Sequence, residues 1–274
     1  MFGPDQRGGS RWGRTTEGAV TLSPMIPKPL LYAVGDVHGC CQSLQRLWRK
    51  IRADARARLG RGQKAKVVFL GDYIDRGPDS ARVLGWCVRL QQKPPPWCEP
   101  VFLMGNHELM LLRFLTEPDL ASLALWLING GGVTLKSFGI AESTPAAVGR
   151  SLADTLTRRG LLTFLAGLPK CHRDGDWFFV HAGTRPGVAL ECQDPWDLLH
   201  IRDEFLDAVA DHGARVVHGH TPTEDGRVEF RKNRIGIDTG AVFGGPLSAV
   251  RISGEAPRVL QVPGHDETPG TNTT

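Results

Sequence analysis

The chain has 274 residues, 41% of them hydrophobic and 23% charged, with a net charge of +4. That composition is ordinary for a globular protein, and the length can bury a core without disulfides or a structural metal, which leaves any bound metal free for catalysis. No apolar run reaches the ~20 residues of a membrane span, the N-terminus lacks an apolar signal region, and the six cysteines form no C-x-x-C pair. A cytoplasmic protein with neither a membrane partner nor a thiolate zinc site is expected.

Residues 1–27, rich in Gly, Arg, Thr and Pro, read as a disordered extension. Residues 28–262 read as the folded unit and 263–274 as a loose tail. The apolar run Leu30–Val34 enters Gly35-Asp36-Val37-His38-Gly39. Leu44, Leu47, Trp48, Ile51, Ala55 and Leu59 then repeat at helical spacing. Between residues 46 and 66 nine basic side chains stand against Asp54 alone, so the charge excess is local. It reads as the solvated face of that one helix, and a nucleic-acid partner is not expected. Lys66–Leu70 enters Gly71-Asp72-Tyr73-Ile74-Asp75-Arg76-Gly77, and Val101–Met104 enters Gly105-Asn106-His107-Glu108, followed by a helix over Leu109–Leu115. Residues 116–170 read as a mostly helical cap, interrupted at Gly130-Gly131-Gly132. Trp177–Val180 enters His181-Ala182-Gly183, a short helix over His200–Val209 carries Arg202, and Arg215–Val217 enters His218-Gly219-His220-Thr221. Short buried strands separated by helices predict an α/β arrangement of stacked sheets covered by helices. Its site is expected just past the strand ends.

The residue types in those loops suit a pair of cations. Asp36 and His38, two apart in extended chain, point the same way. The two oxygens of Asp72 can serve two ions, Asn106 offers an amide oxygen, and His181 and His220 offer imidazole nitrogens. Nitrogen and oxygen donors without sulfur suit manganese, iron or zinc. His107 is placed to donate a proton to a leaving oxygen, and Asp75 to keep that imidazole protonated. Arg76 and Arg202 present planar forks for phosphate oxygens. Cys40 and Cys41 read as packing at a helix start.

The Gly35–Gly39, Gly71–Gly77 and Gly105–Glu108 blocks resemble the three signature blocks of the phosphoprotein phosphatase family of metallophosphoesterases. Phe179-Val180-His181-Ala182-Gly183 and Gly219-His220-Thr221-Pro222 are similar to its two later histidine blocks, and the resemblance spans roughly 29–252. It is nearest to the bacterial and bacteriophage-type serine/threonine protein phosphatases; symmetrical dinucleoside tetraphosphatases share most of the blocks. The resemblance implies a calcineurin-like, four-layer β-sandwich flanked by helices, with a helical cap. It implies that Asp36 and His38 bind one metal, that Asp72 bridges, and that Asn106, His181 and His220 bind the second. His107 would be the acid, paired with Asp75, and Arg76 and Arg202 would grip phosphate. Within Val217-His218-Gly219-His220 the ligand is taken as His220, the histidine after glycine. The expected ions are two manganese, with iron or zinc as alternatives. The expected reaction is hydrolysis of phosphoserine or phosphothreonine in a protein or peptide by direct attack of a hydroxide shared by the two ions. The alternative substrate is a dinucleoside polyphosphate.

Overall fold

The computed structural model describes residues 30–252 and 256–265. The extension expected at 1–27 lies outside them, as does the tail beyond 265. In chain order β1 (Leu30–Val34), α1 (Cys41–Arg56), β2 (Ala65–Phe69), α2 (Ser80–Gln92), β3 (Cys98–Phe102) and α3 (Asn106–Thr116) come first. Four helices follow, α4 (Leu120–Ile128), α5 (Gly131–Phe138), α6 (Pro145–Arg158) and α7 (Leu161–Ala166), and fill the span expected to be a helical cap. After β4 (Cys171–Asp174) and β5 (Trp177–Val180) come the short helices α8 (Asp197–His200) and α9 (Asp203–Leu206). The chain closes with β6 (Arg215–His218), β7 (Glu229–Phe230), β8 (Arg234–Gly236), β9 (Pro246–Ile252) and β10 (Arg258–Pro263).

The strands make two five-stranded sheets, ordered β10-β9-β1-β2-β3 and β4-β5-β6-β8-β7. β1, β2 and β3 run parallel, while β9 runs antiparallel to both of its neighbours, β1 and β10. Alternation along β1 sets the layers. Leu31 and Ala33 meet Val68, Leu70, Phe179, Val217 and Ile235 between the sheets. Tyr32 and Val34 belong with Leu44, Leu47, Val83 and Leu111 on the helix side. Phe178, Val180 and Val216 pack with Leu198, Ile201 and Phe205 over the second sheet. The result is helices, sheet, sheet, helices, the mixed α/β sandwich expected from the sequence.

Three local expectations change. The helix containing Leu44 ends at Arg56, and Leu59 lies in the turn that follows. Gly60 and Gly62 (φ 77°) turn the chain back toward β2. The basic run therefore spans a helix, a turn and the first residues of a strand, and its last member, Lys66, pairs with Asp174 at 2.5 Å. The single helix expected over His200–Val209 is two short helices, with Arg202 at the break. Extended backbone at Ile201 (ψ 143°) buries that side chain and leaves Arg202 exposed. Finally, Asn106 and His107 are not in a loop: α3 begins at Asn106, so both lie in its first turn.

Candidate metal centre

The loops after β1 and β2 are laced together by main-chain bonds: Val37 N and His38 N both donate to Asp72 O, at 3.1 and 2.8 Å, and Gly39 N donates to Tyr73 O at 2.9 Å. Such tight crossing needs unusual backbone. Among the described residues, the non-glycine residues with positive φ are His38 (40°), Asp72 (50°), Asp75 (71°), Arg76 (66°) and His220 (66°). Every one is a candidate site residue. Left-handed backbone costs an L-residue of order 1–3 kcal/mol and persists only where surrounding structure enforces it. The strain is thus concentrated where the sequence placed the chemistry.

Asp72, 1% exposed, sits at the centre. Its Oδ1 accepts from His107 N at 3.2 Å and lies 3.4 Å from His181 Nε2. Its Oδ2 lies 3.4 Å from His38 Nε2 and 3.9 Å from His107 Nε2. Two groups of possible ligands share this carboxylate, His38–Asp72–His107 and Asp72–His181–His220. Asp36 Oδ2 accepts from His220 N at 3.0 Å, which ties the loop after β1 to the loop after β6. Asn106 Oδ1 is 2.9 Å from His181 Nε2 and 3.0 Å from His220 Nδ1. All six expected ligands are therefore gathered in one buried cluster.

The imidazoles divide by electrostatics. Burial drives His38 down to about 3 and His220 to about 2, and lowers His181, so each offers a lone pair at neutral pH. His107 goes the other way. Burial alone would lower it, but the Asp72 charge and the Asp75 hydrogen bond raise it. Its Nδ1 is 2.7 Å from Asp75 Oδ2. Asp75 is itself held from the cap and from α2: Trp126 Nε1 donates to Oδ2 at 2.9 Å, Thr134 Oγ1 donates to Oδ1 at 2.6 Å, and Ser80 Oγ accepts from Asp75 N at 3.0 Å.

The arginines lie at the edge of the cluster. Arg76 Nη1 is 2.6 Å from His38 Nε2, and its guanidinium lies 5.4 Å from the exposed Phe243 ring. Arg202 is on the rim, bonded to Thr221 Oγ1 at 3.3 Å. His218 points elsewhere: it is buried, with Nε2 3.3 Å from Arg234 Nη1.

Two acids were missed as site residues. Glu108 accepts from Asp72 N, Tyr73 N and Gly105 N at 2.9, 2.8 and 2.9 Å, bracing two loops at once. Burial, then repulsion from Asp72, raises it to about 8. Asp238, two residues past β8, is buried and raised to about 6 by desolvation. The strand-end rule that found Asp36 and Asp72 points to Asp238 too, but β8 spans only Arg234–Gly236 and is too short to read from its pattern.

With that geometry in hand, comparison with known proteins is decisive. The profile of the calcineurin-like phosphoesterases matches residues 30–245. The chain belongs to that family. This phosphoesterase is 33% identical over 230 residues to serine/threonine-protein phosphatase 1 of Salmonella typhimurium, covering 81% of this chain and 91% of the relative. It is 27% identical over 237 residues to an asymmetrical bis(5'-nucleosyl)-tetraphosphatase, PrpE, of Bacillus thuringiensis, covering 80% and 88%. A crystal structure provisionally assigned as a diadenosine tetraphosphatase superposes with a TM-score of 0.59 at 21% identity, covering 89% of this chain and 97% of the other; at that identity the likeness shows the fold.

The phosphoesterase is thus a hydrolase of a family that works with a dinuclear metal centre, and the donors present fit one. His38 Nδ1 and His181 Nδ1 each donate to a backbone carbonyl, Ile74 O at 2.8 Å and Leu70 O at 2.9 Å. That turns both Nε2 lone pairs inward, as in metal-binding histidines whose other ring nitrogen is held by a carbonyl. His181 Nε2 then faces Asn106 Oδ1, acceptor against acceptor. Asp36 Oδ1 and His220 Nε2 are buried without any partner. Buried acceptors left this way are costly, and a cation resolves all of these contacts together. Among the described residues no helix is long and apolar enough to cross a membrane.

Proposed function

We propose that this phosphoesterase removes phosphate from phosphoserine and phosphothreonine in proteins, using two divalent ions, manganese foremost. Asp36, His38 and Asp72 would hold one ion, and Asp72, Asn106, His181 and His220 the other. When bound, the ions supply Lewis-acid charge at the phosphoryl group and acidify water at the site. The observation that carries the reading is the pair His107–Asp75 beside Asp72. With Nδ1 bonded to Asp75, the protonated His107 keeps its other proton on Nε2, a buried atom with no partner of its own. That proton goes to the departing alkoxide. Arg76 and Arg202 offset charge on the equatorial phosphate oxygens. A thiolate nucleophile is not expected, since burial pushes Cys40, beside the His38 loop, up to about 12.

Likeness to the Salmonella serine/threonine phosphatase, the more identical of the two relatives, supports a protein substrate. Likeness to the Bacillus tetraphosphatase supports a second reading, hydrolysis of dinucleoside tetraphosphates at the same site. A side-by-side assay with manganese distinguishes them by comparing kcat/KM for a phosphoserine or phosphothreonine peptide with that for diadenosine tetraphosphate. The peptide is expected to be preferred, and a large preference for the dinucleotide overturns the first reading.

A further inference from the structure

Helix α4 (Leu-Ala-Ser-Leu-Ala-Leu-Trp-Leu-Ile) carries no charged residue. Its inner side is built into the protein through Leu123 and Trp126. Its outer side is bare: Leu120, Leu125, Leu127 and Ile128 are 74%, 53%, 41% and 85% exposed. These four are half of the eight large apolar side chains exposed among the described residues, gathered on one nine-residue helix. A helix apolar all round is normally covered all round, and a contiguous apolar patch marks an interaction surface. Beside Leu125 the surface dips into a groove of about 520 Å³ between α3 and α4, lined also by Leu109, Met110, Leu112 and Arg113. That volume lies in the range of about 300–1,000 Å³ typical of ligand pockets.

This surface is continuous with the reaction centre at two places. Gly130, two residues past Ile128, accepts a hydrogen bond from Arg76 N at 3.3 Å. Arg113, on the groove wall, lies 5.1 Å from the Trp196 ring. Trp196 stacks on His200 at 3.7 Å, and the His200 ring is 6.5 Å from that of His220. The C-terminal end of α4 therefore adjoins Arg76, at the edge of the candidate metal centre. Among the described residues Arg113 is the one cation of the groove and Glu117 stands on the same wall; the four exposed Leu and Ile side chains of α4 suit the aliphatic and aromatic side chains of a polypeptide.

We propose that the outer face of α4 and its groove dock an apolar segment of the protein substrate flanking the phosphorylated residue. The proposal rests on the phosphoprotein reading above. Two phosphoserine peptides identical except for their flanks, Leu and Phe in one and Ser and Asn in the other, are assayed on the full chain with manganese. The same assays are run on Leu125→Glu/Ile128→Glu and on Leu125→Ser/Ile128→Ser, with p-nitrophenyl phosphate and diadenosine tetraphosphate as controls and molecular mass measured throughout. The unaltered chain is expected to favour the apolar-flanked peptide by about tenfold in kcat/KM, chiefly through KM, equivalent to roughly 1.4 kcal/mol. Both variants are expected to lose that preference while keeping p-nitrophenyl phosphate turnover and molecular mass. Equal use of the two peptides by the unaltered chain overturns the docking surface and leaves the phosphoprotein reading intact. Hydrolysis of the dinucleotide with neither peptide used overturns the phosphoprotein reading itself. A variant that falls from dimer to monomer with its peptide preference unchanged assigns α4 to a second copy of the chain, against the proposal.

Discussion

At the scale of single residues, four histidines of one cluster are divided by their neighbours into three held neutral and one whose protonation is favoured. His38, His181 and His220 are driven neutral by burial, whereas His107 is raised because Asp72 and Asp75 together outweigh its burial. Replacing His107 by Asn should lower kcat by about 10²–10⁴, the usual worth of a positioned acid. Metal content should stay near two per chain; loss of metal together with activity in this variant would contradict the acid role. Asp75→Asn tests the same pair through pH. The acid must be protonated, so activity falls as pH rises through the pKa of His107. Removing a partner that raises this pKa should move the alkaline limb of the kcat profile to lower pH, and an unmoved limb would separate Asp75 from the proton. The sequence places Asp75 in the same loop as Asp72, three residues further on. It gives no sign that Trp126 and Thr134, 51 and 59 residues further on, hold both carboxylate oxygens, because that contact exists only once α4 and α5 pack back over the site.

At the scale of elements, β1, β2, β3, β5, β6 and β8 each deliver the residues that follow them to the cluster, and the loops fit only with glycine at close approaches. A Cβ on Gly219 would overlap Asp36 Oδ1, and one on Gly130, at φ 98°, would come within 2.8 Å of Arg76 Cγ. Gly219→Ala should therefore displace the Asp36 carboxylate. We expect weaker manganese binding in titration calorimetry, with the melting temperature of the metal-free chain within ~3 °C of the parent, a shift that corresponds to under about 1 kcal/mol. Far from the site, α1 is tied to the first sheet by Asp54, which accepts from Tyr32 Oη at 2.7 Å and Arg251 Nη1 at 3.0 Å. Burial works against the Asp54 charge, but the Tyr32 and Arg251 hydrogen bonds prevail and its pKa is lowered. A carboxyl depressed by folding adds stability above its unfolded pKa of about 3.9, lost as pH falls through the folded value. Asp54→Asn should cost about 1.5–3 kcal/mol at neutral pH, the range for hydrogen bonds to a charged group. Denaturant melts should show that difference shrinking below about pH 4. The α1 boundary was misjudged from the pattern because Leu59 keeps helical spacing and still packs against the core after the helix has ended.

At the scale of the whole molecule, two sheets bring loops from distant parts of the chain to one edge of the sandwich, and the candidate metal centre lies where buried acids meet. Asp36, Asp72 and Asp238 are 3%, 1% and 5% exposed; beyond their burial, the Asp72 charge raises the cost of ionising both Asp36 and Asp238, and the Asp238 charge raises that of Asp36. Chelation should then lower the melting temperature and manganese should restore it. At a hundred times Kd the gain is about 2.7 kcal/mol, on the order of 5–10 °C for a domain of this size. A melting point indifferent to manganese concentration would remove the metal centre from the account.

Taken alone, the sequence determined the strand-then-loop order, the α/β class and the six donors, because a short apolar run followed by a glycine-flanked Asp, Asn or His is a local pattern. It also determined that α4 lacks charge. Tertiary structure alone decided which donors converge, that Glu108 braces two loops, that Asp238 joins the acids, and that the outer face of α4 is left exposed among the described residues. Those outcomes depend on contacts between residues tens to hundreds of positions apart. No periodicity within a single element encodes them, and only the stacking of two sheets beneath a folded cap brings them about.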